Sequence, residues 1–130
     1  MTAMQAVALY AGLNILLLVC LAVNVSLNRQ RAKVSLGTGT DPALEQACRT
    51  HANATENLPP ALIGLVLLGL LGTGTLVIHA LGLALTLGRG LHAYGLLTEP
   101  GRSFGRVTGT SLTWLVLLAS ALLLLARAIS

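Results

Sequence analysis

From Thr2 to Leu27 the chain carries no charged side chain. That run exceeds the ~20 residues an α-helix needs to cross a bilayer, and Asn14 and Asn24 are the main interruptions of its apolar character. It is too long for a signal-peptide core, and Met1 to Gln5 hold no basic group. A lipid-spanning helix at the start of a short chain leaves few architectures. Composition narrows them further: 55% of the residues are hydrophobic and only 9% charged, against roughly a quarter charged in soluble domains. The surface that such a chain presents must face lipid. We therefore expect one all-α domain over 1–130, an integral membrane four-helix bundle, with helices at about 2–27, 42–71, 76–97 and 105–129.

The connections carry the directional information. Asn28 to Thr40 is a basic loop containing Arg29, Arg31 and Lys33. Asp41-Pro42 reads as a helix start, with Asp as N-cap and Pro in the first turn. Gly72 to Thr75 is an uncharged turn, and Glu99-Pro100-Gly101 breaks the chain before Arg102 and Arg106. Basic residues thus gather in loops one and three, which places those loops in the cytoplasm and both termini outside. The net charge of +4 is then topological; no interleaving of basic and aromatic residues marks a nucleic-acid binder. Short loops and termini point to a bacterial inner membrane. Cys20 and Cys48 read as packing residues, and the Asn-x-Ser/Thr triplets at Asn24 and Asn53 as chance matches inside helices.

The second segment is apolar only in its latter half, beyond Pro59-Pro60, where a kink beside Glu56 is expected. Its first half sets Glu45, Arg49, Asn53 and Glu56 within an arc of roughly 80° at 100° per residue. Glu56 lies about 17 Å along the helix from Glu45, and Arg89 in the third segment lies about 15 Å from Glu99, so the two are at similar depth. One reading is structural: Glu56 pairs with Arg89 to lock the bundle, and Glu45 with Arg49 forms an ordinary i,i+4 pair. The other is a binding stripe. Arg suits a ligand carboxylate, Glu an ammonium, and Asn supplies donor and acceptor, a set fitting an amino acid or peptide.

The run Arg49-Thr-His-Ala-Asn53-Ala-Thr-Glu56-Asn57-Leu-Pro59 resembles the helix-two signature of the MAPEG family, the membrane-associated proteins in eicosanoid and glutathione metabolism. Glu45, the basic loop one, Arg89 with His92 and Tyr94, and Arg102 with Arg106 extend the resemblance over essentially the whole chain. It departs at Asn57, where many catalytic members have Tyr, and at His92, where a helix-three tyrosine is usual. The resemblance implies a homotrimer with glutathione at subunit interfaces, open to the cytoplasm and to lipid. It implies that Arg49, Asn53 and Glu56 hold the glutathione backbone, with Glu56 facing the α-amino group. Arg31 from loop one, and Arg89, His92 and Tyr94 from helix three, would complete the site. Arg106 would stabilise the thiolate, with Arg102 as the substitute. The function implied is that of a membrane-bound glutathione transferase or peroxidase acting on lipophilic electrophiles or lipid hydroperoxides.

Two other classes stay open. A small four-span transporter usually relies on an acidic residue in its first span, which is lacking here. A non-catalytic membrane scaffold would leave the Arg-Asn-Glu stripe without a ligand. No metal is expected, because His51 and Glu56 do not share a helix face, His92 and Glu99 stand two turns apart, and no third ligand is apparent. Gly101, Gly105 and Gly109 recur every four residues and suit close helix packing, within the chain or in an oligomer.

Overall fold

The computed structural model describes residues 1–99 and 101–129. Four helices follow in order: α1 Ala3–Ala32, α2 Pro42–Leu70, α3 Thr75–Thr98 and α4 Phe104–Ile129. Their ends are set by local chemistry. Thr2 and Gln5 form a reciprocal capping box at the start of α1, and Lys33 ends it in the left-handed conformation, φ 55°. Asp41 Oδ1 accepts from the Leu44 amide at 2.8 Å to start α2, with Pro42 just inside. Gly72, at φ 74°, makes the turn into α3, and Ser103 Oγ accepts from the Arg106 amide in the first turn of α4.

The sequence places the end of α1 at Leu27, but the helix continues through Ala32. Arg29 and Arg31 look like loop residues by charge, yet both sit in the last turn of the helix, where cations suit the carbonyl end of its dipole. Arg29 then reaches over loop one, donating to the Gly37 carbonyl at 2.8 Å and lying 3.6 Å from Cys48 Sγ. α2 passes unbroken through Pro59 and Pro60. Among the described residues, α1, α3 and α4 are long and apolar enough to cross a membrane. α2 has the length, but its polar first half keeps it outside that group.

α2 and α3 pack together at the centre, with α1 and α4 on opposite flanks; each flanking helix packs on both central ones. The core runs between them through Leu21, Ala54, Leu58, Leu65, Leu85 and Val116, and continues toward the other membrane face through Ala6, Val7, Leu68 and Ile78. Outward stand Leu9, Leu16, Val23, Leu115, Leu118, Leu122 and Leu125, a surface suited to lipid and untenable in water. Cys20 belongs to this outer surface and packs against no core.

Two close approaches depend on glycine. A Cβ on Gly82 would meet the Tyr10 ring at 2.1 Å, and one on Gly109 would meet the Gly88 carbonyl oxygen at 2.4 Å. Gly88 and Gly95 of α3 thus face Gly105 and Gly109 of α4 within one chain. The every-fourth glycines are consumed by this internal contact, and at Gly101 a Cβ would meet open space. Beneath Tyr10, Asn14 donates to the Tyr10 carbonyl at 2.8 Å and to Thr86 Oγ1 at 2.9 Å, and Tyr10 Oη is hydrogen-bonded to His79 Nδ1 at 3.0 Å. These bonds satisfy the Asn14 NH₂ and the Tyr10 hydroxyl, which lipid cannot solvate, while Asn14 Oδ1 has no partner among the described residues.

Candidate functional site

The polar half of α2 meets the ends of α3 and α4 at the face that carries loops one and three. A cavity of about 320 Å³ opens there, lined by Pro42, Glu45, Gln46, Arg49 and Asn53 of α2, His92 and Leu96 of α3, and Arg106 of α4. Its size falls at the low end of small-molecule sites. At 100° per residue the buried positions Ala47, Thr50, Ala54, Leu58 and Ala61 centre roughly 180° from Glu45. Asn53 stands about 100° from that inward direction, and Glu56 about 160°. Rotation alone does not sort the stripe: Glu45, opposite the buried face, lines the cavity with Arg49 and Asn53, whereas Glu56, nearly a turn beyond Asn53, does not line it and is exposed.

This geometry overturns both ion pairs considered from sequence. Among the described residues, neither Glu56 with Arg89 nor Glu45 with Arg49 forms a salt bridge; Arg31 with Asp41, at 2.7 Å, does. Arg89 is 1% exposed and gives its Nη2 proton to Asn53 Oδ1 at 2.8 Å. That bond fixes the carboxamide. It takes one of the oxygen's two lone pairs, and the Asn53 NH₂, without a partner among the described residues, is the free donor for a ligand.

The other expected residues separate. Arg31 closes loop one onto the α2 cap and is absent from the lining of that cavity. Accepting the Leu44 amide, with Arg31 beside it, holds the Asp41 carboxyl below its ordinary 3.8. Tyr94 is 69% exposed and lies away from the cavity, because two residues of helix turn it roughly 200° from His92. His92 is buried, lines the cavity, and has no partner at Nδ1 among the described residues. Arg106 donates from Nη1 to the Gly101 carbonyl and keeps other donors for the cavity it borders. Arg102 lies outside this cavity and lines a second one with His92 and Arg106.

Glu45 belongs to the stripe read from sequence as a binding face but was given no ligand role there, and Gln46, Pro42 and Leu96 were not anticipated. A signal for three of them existed: Pro42, Gln46, Arg49 and Asn53 follow i, i+4, i+7, i+11 spacing, and Glu45 flanks that stripe. The lining thus offers two guanidinium groups, one carboxylate and two carboxamides. Such a set suits a ligand with two anionic groups, one cationic group and peptide-like polar atoms.

An all-α membrane protein with a charged cavity at one face of its bundle is the class that this fold and site define. The family model described as MAPEG family matches residues 7–126. The chain belongs to the MAPEG family. It is 36% identical over 115 residues to "Inner membrane protein YecN" of Escherichia coli strain K12, covering 88% of this chain and 86% of that one, and matches the same-named protein of E. coli O6:H1 strain CFT073 equally.

Proposed function

We propose that this protein binds glutathione in the α2–α3–α4 cavity and presents its thiolate to lipophilic electrophiles or lipid hydroperoxides. The observation that carries the reading is the charge set of the lining. Bound glutathione presents carboxylate, ammonium and an ionising thiol, and the cavity sets Arg49 and Glu45 for the charged backbone groups and Arg106 for the sulfur. Glu45 takes the place that sequence reasoning assigned to Glu56 as partner of the α-amino group. Asn53, held by Arg89, offers its NH₂ to the peptide backbone of the ligand.

Arg106 is the cation for the sulfur. A free thiol titrates near 8.5 and only the thiolate attacks; a guanidinium in a site shielded from water lowers that value. In conjugation the sulfur bonds to the electrophilic carbon and the electron pair leaves with the displaced group or opened ring. In peroxide reduction the thiolate attacks the distal oxygen as the O–O bond breaks, the alkoxide leaves and is protonated to the alcohol, and a second glutathione converts the resulting sulfenic acid to disulfide and water. In this reading the protein works as a homotrimer in a bacterial inner membrane, with loops one and three in the cytoplasm where glutathione is found. The inner-membrane relatives and the grouping of Arg29, Arg31, Lys33, Arg102 and Arg106 support that placement.

Calorimetric titration of glutathione into the detergent-purified protein tests the reading. Saturable binding that is lost in Arg49→Ala, with the helical content unchanged, is the expected result. A well-folded oligomer that takes up no glutathione would overturn it.

A further inference from the structure

The chain has three histidines, and the fold uses them differently. His79 is tied down: its Nδ1 shares a hydrogen bond of 3.0 Å with Tyr10 Oη, and the two rings meet edge to face with centroids 5.6 Å apart. His51 is half-buried on α2 and lines neither of the two cavities. His92 is buried, yet neither of its ring nitrogens has a hydrogen-bond partner among the described residues, and Nδ1 is shut away from solvent. A buried imidazole ordinarily bonds through at least one nitrogen, which fixes its tautomer. A ring free at both nitrogens can accept a proton at one and hold or release it.

The position of His92 gives that freedom a use. It forms part of the wall of the glutathione cavity and part of the wall of the neighbouring one, about 310 Å³, and Arg106 is common to both. α4 holds the residue there: a Cβ on Gly109 would lie 2.7 Å from His92 Cβ, and Arg106 stands three residues earlier on the same face of α4. The charged groups acting on the ring are Arg89 from its own helix and Arg106 from α4. Glu45 and Arg49 of α2 line the same cavity, and α1 brings no charged side chain to either cavity. Guanidinium groups keep their protons, whereas an imidazole exchanges one near neutral pH.

Reduction of a hydroperoxide by a thiol moves one proton from sulfur to oxygen. We propose that His92 carries that proton, taking it from the thiol of bound glutathione beside Arg106 and giving it to the departing alkoxide. The role rests on the glutathione reading. On binding, the S–H proton passes to a ring nitrogen and leaves the thiolate. The sulfur electron pair then forms a bond to the distal peroxide oxygen, and the O–O pair departs with the other oxygen. The imidazolium proton moves to that oxygen, which leaves as the alcohol. The distal oxygen keeps its hydrogen and stays on sulfur as a sulfenic acid. The ring ends as it began, and no proton has passed to water. An alkoxide is a much stronger base than an imidazole, so the second transfer runs downhill.

Titration calorimetry of glutathione into the whole protein, in buffers of different ionisation enthalpy, counts the protons released. Ultraviolet difference absorbance measures the thiolate formed. The wild type should form thiolate and release almost no proton to the buffer. His92→Gln should bind glutathione as before but release about one proton for each thiolate. Its kcat with cumene hydroperoxide should fall about a hundredfold with little change in the KM for glutathione, and added imidazole should restore part of the rate in His92→Ala. A wild type that releases one proton per thiolate would overturn the role, because the thiol proton then goes to water. So would full turnover in His92→Gln. If His92→Gln misfolds, the wild-type proton count decides alone. No heat of binding in the wild type would overturn the glutathione reading and this role with it, whereas binding with the proton lost to buffer overturns the role and leaves the reading standing.

Discussion

Arg89 and Arg106 show how differently two arginines of one site can act. Arg89 borders neither cavity, yet its bond to Asn53 decides which end of that carboxamide meets a ligand. Arg89→Met, close in length and without charge, should therefore weaken glutathione binding by roughly tenfold through the freed Asn53. Calorimetry checks this, and circular dichroism separates it from misfolding. Arg106 touches the cavity directly. Arg106→Ala should keep glutathione bound but lose the ultraviolet absorbance of its thiolate; loss of binding itself would assign Arg106 to a carboxylate. Asp41 acts at a third level, through the start of α2. Its folded pKa lies below 3.8 because it accepts the Leu44 amide and faces Arg31. A depressed carboxyl contributes stability that is present above 3.8 and disappears as pH falls through the folded value. Hydrogen exchange at Leu44 and Glu45 should quicken over that acidic range relative to Asp41→Asn, whose cap does not titrate.

Among the helices, the α3–α4 contact does most to shape the site, because it sets His92 beside Arg106. A methyl on Gly109 would stand 2.4 Å from the Gly88 carbonyl oxygen and 2.6 Å from the His92 amide nitrogen. Backbone cannot yield as a side chain would. Gly109→Ala should cost about 1–3 kcal/mol and distort both cavities, whereas Gly101→Ala should be silent; thermal melts in detergent compare them. The glycine pattern was legible in sequence, its partner was not, since an every-fourth stripe fits a neighbouring helix of the same chain as well as of another. The four helices themselves were legible from long apolar runs and from breakers such as Asp41-Pro42. The end of α1 was not, because Arg29 and Arg31 look equally at home in a loop and in a last helical turn. In the site, the direction of the α2 stripe was readable, but not its rotation. Charge alone suggested that Glu56 and Arg89 meet. Only the small buried residues Ala47, Thr50 and Ala54 show which edge turns inward, and they leave Asn53 within reach of Arg89.

At the level of the whole molecule, α2 is the helix that one chain does not accommodate in lipid. Packed centrally against α3, it still turns Glu56, Pro59, Pro60, Ile63 and Leu67 outward. Glu56 lies about 17 Å along the helix from Glu45. A carboxylate so deep costs on the order of 3 kcal/mol against hydrocarbon unless it gains a partner or water. Among the described residues no cation of its own chain pairs with it. The outer faces of α1 and α4 need no such cover, being rich in leucine. The surface that calls for protein is therefore α2, and joining α2 faces around an axis would bring the three Glu56 groups of a trimer into a shared, water-accessible centre or against donors of the next subunit. Native mass spectrometry should find a trimer as the main species. Glu56→Leu tests what the carboxylate does there. If Glu56 pairs across the interface, the variant trimer should dissociate at lower detergent concentration; if Glu56 only tolerates a wet centre, removing the charge should tighten the assembly. A wild-type protein that is monomeric and still binds glutathione would sink the trimer in either form, and would leave Glu56 to be satisfied by water entering from the loop face.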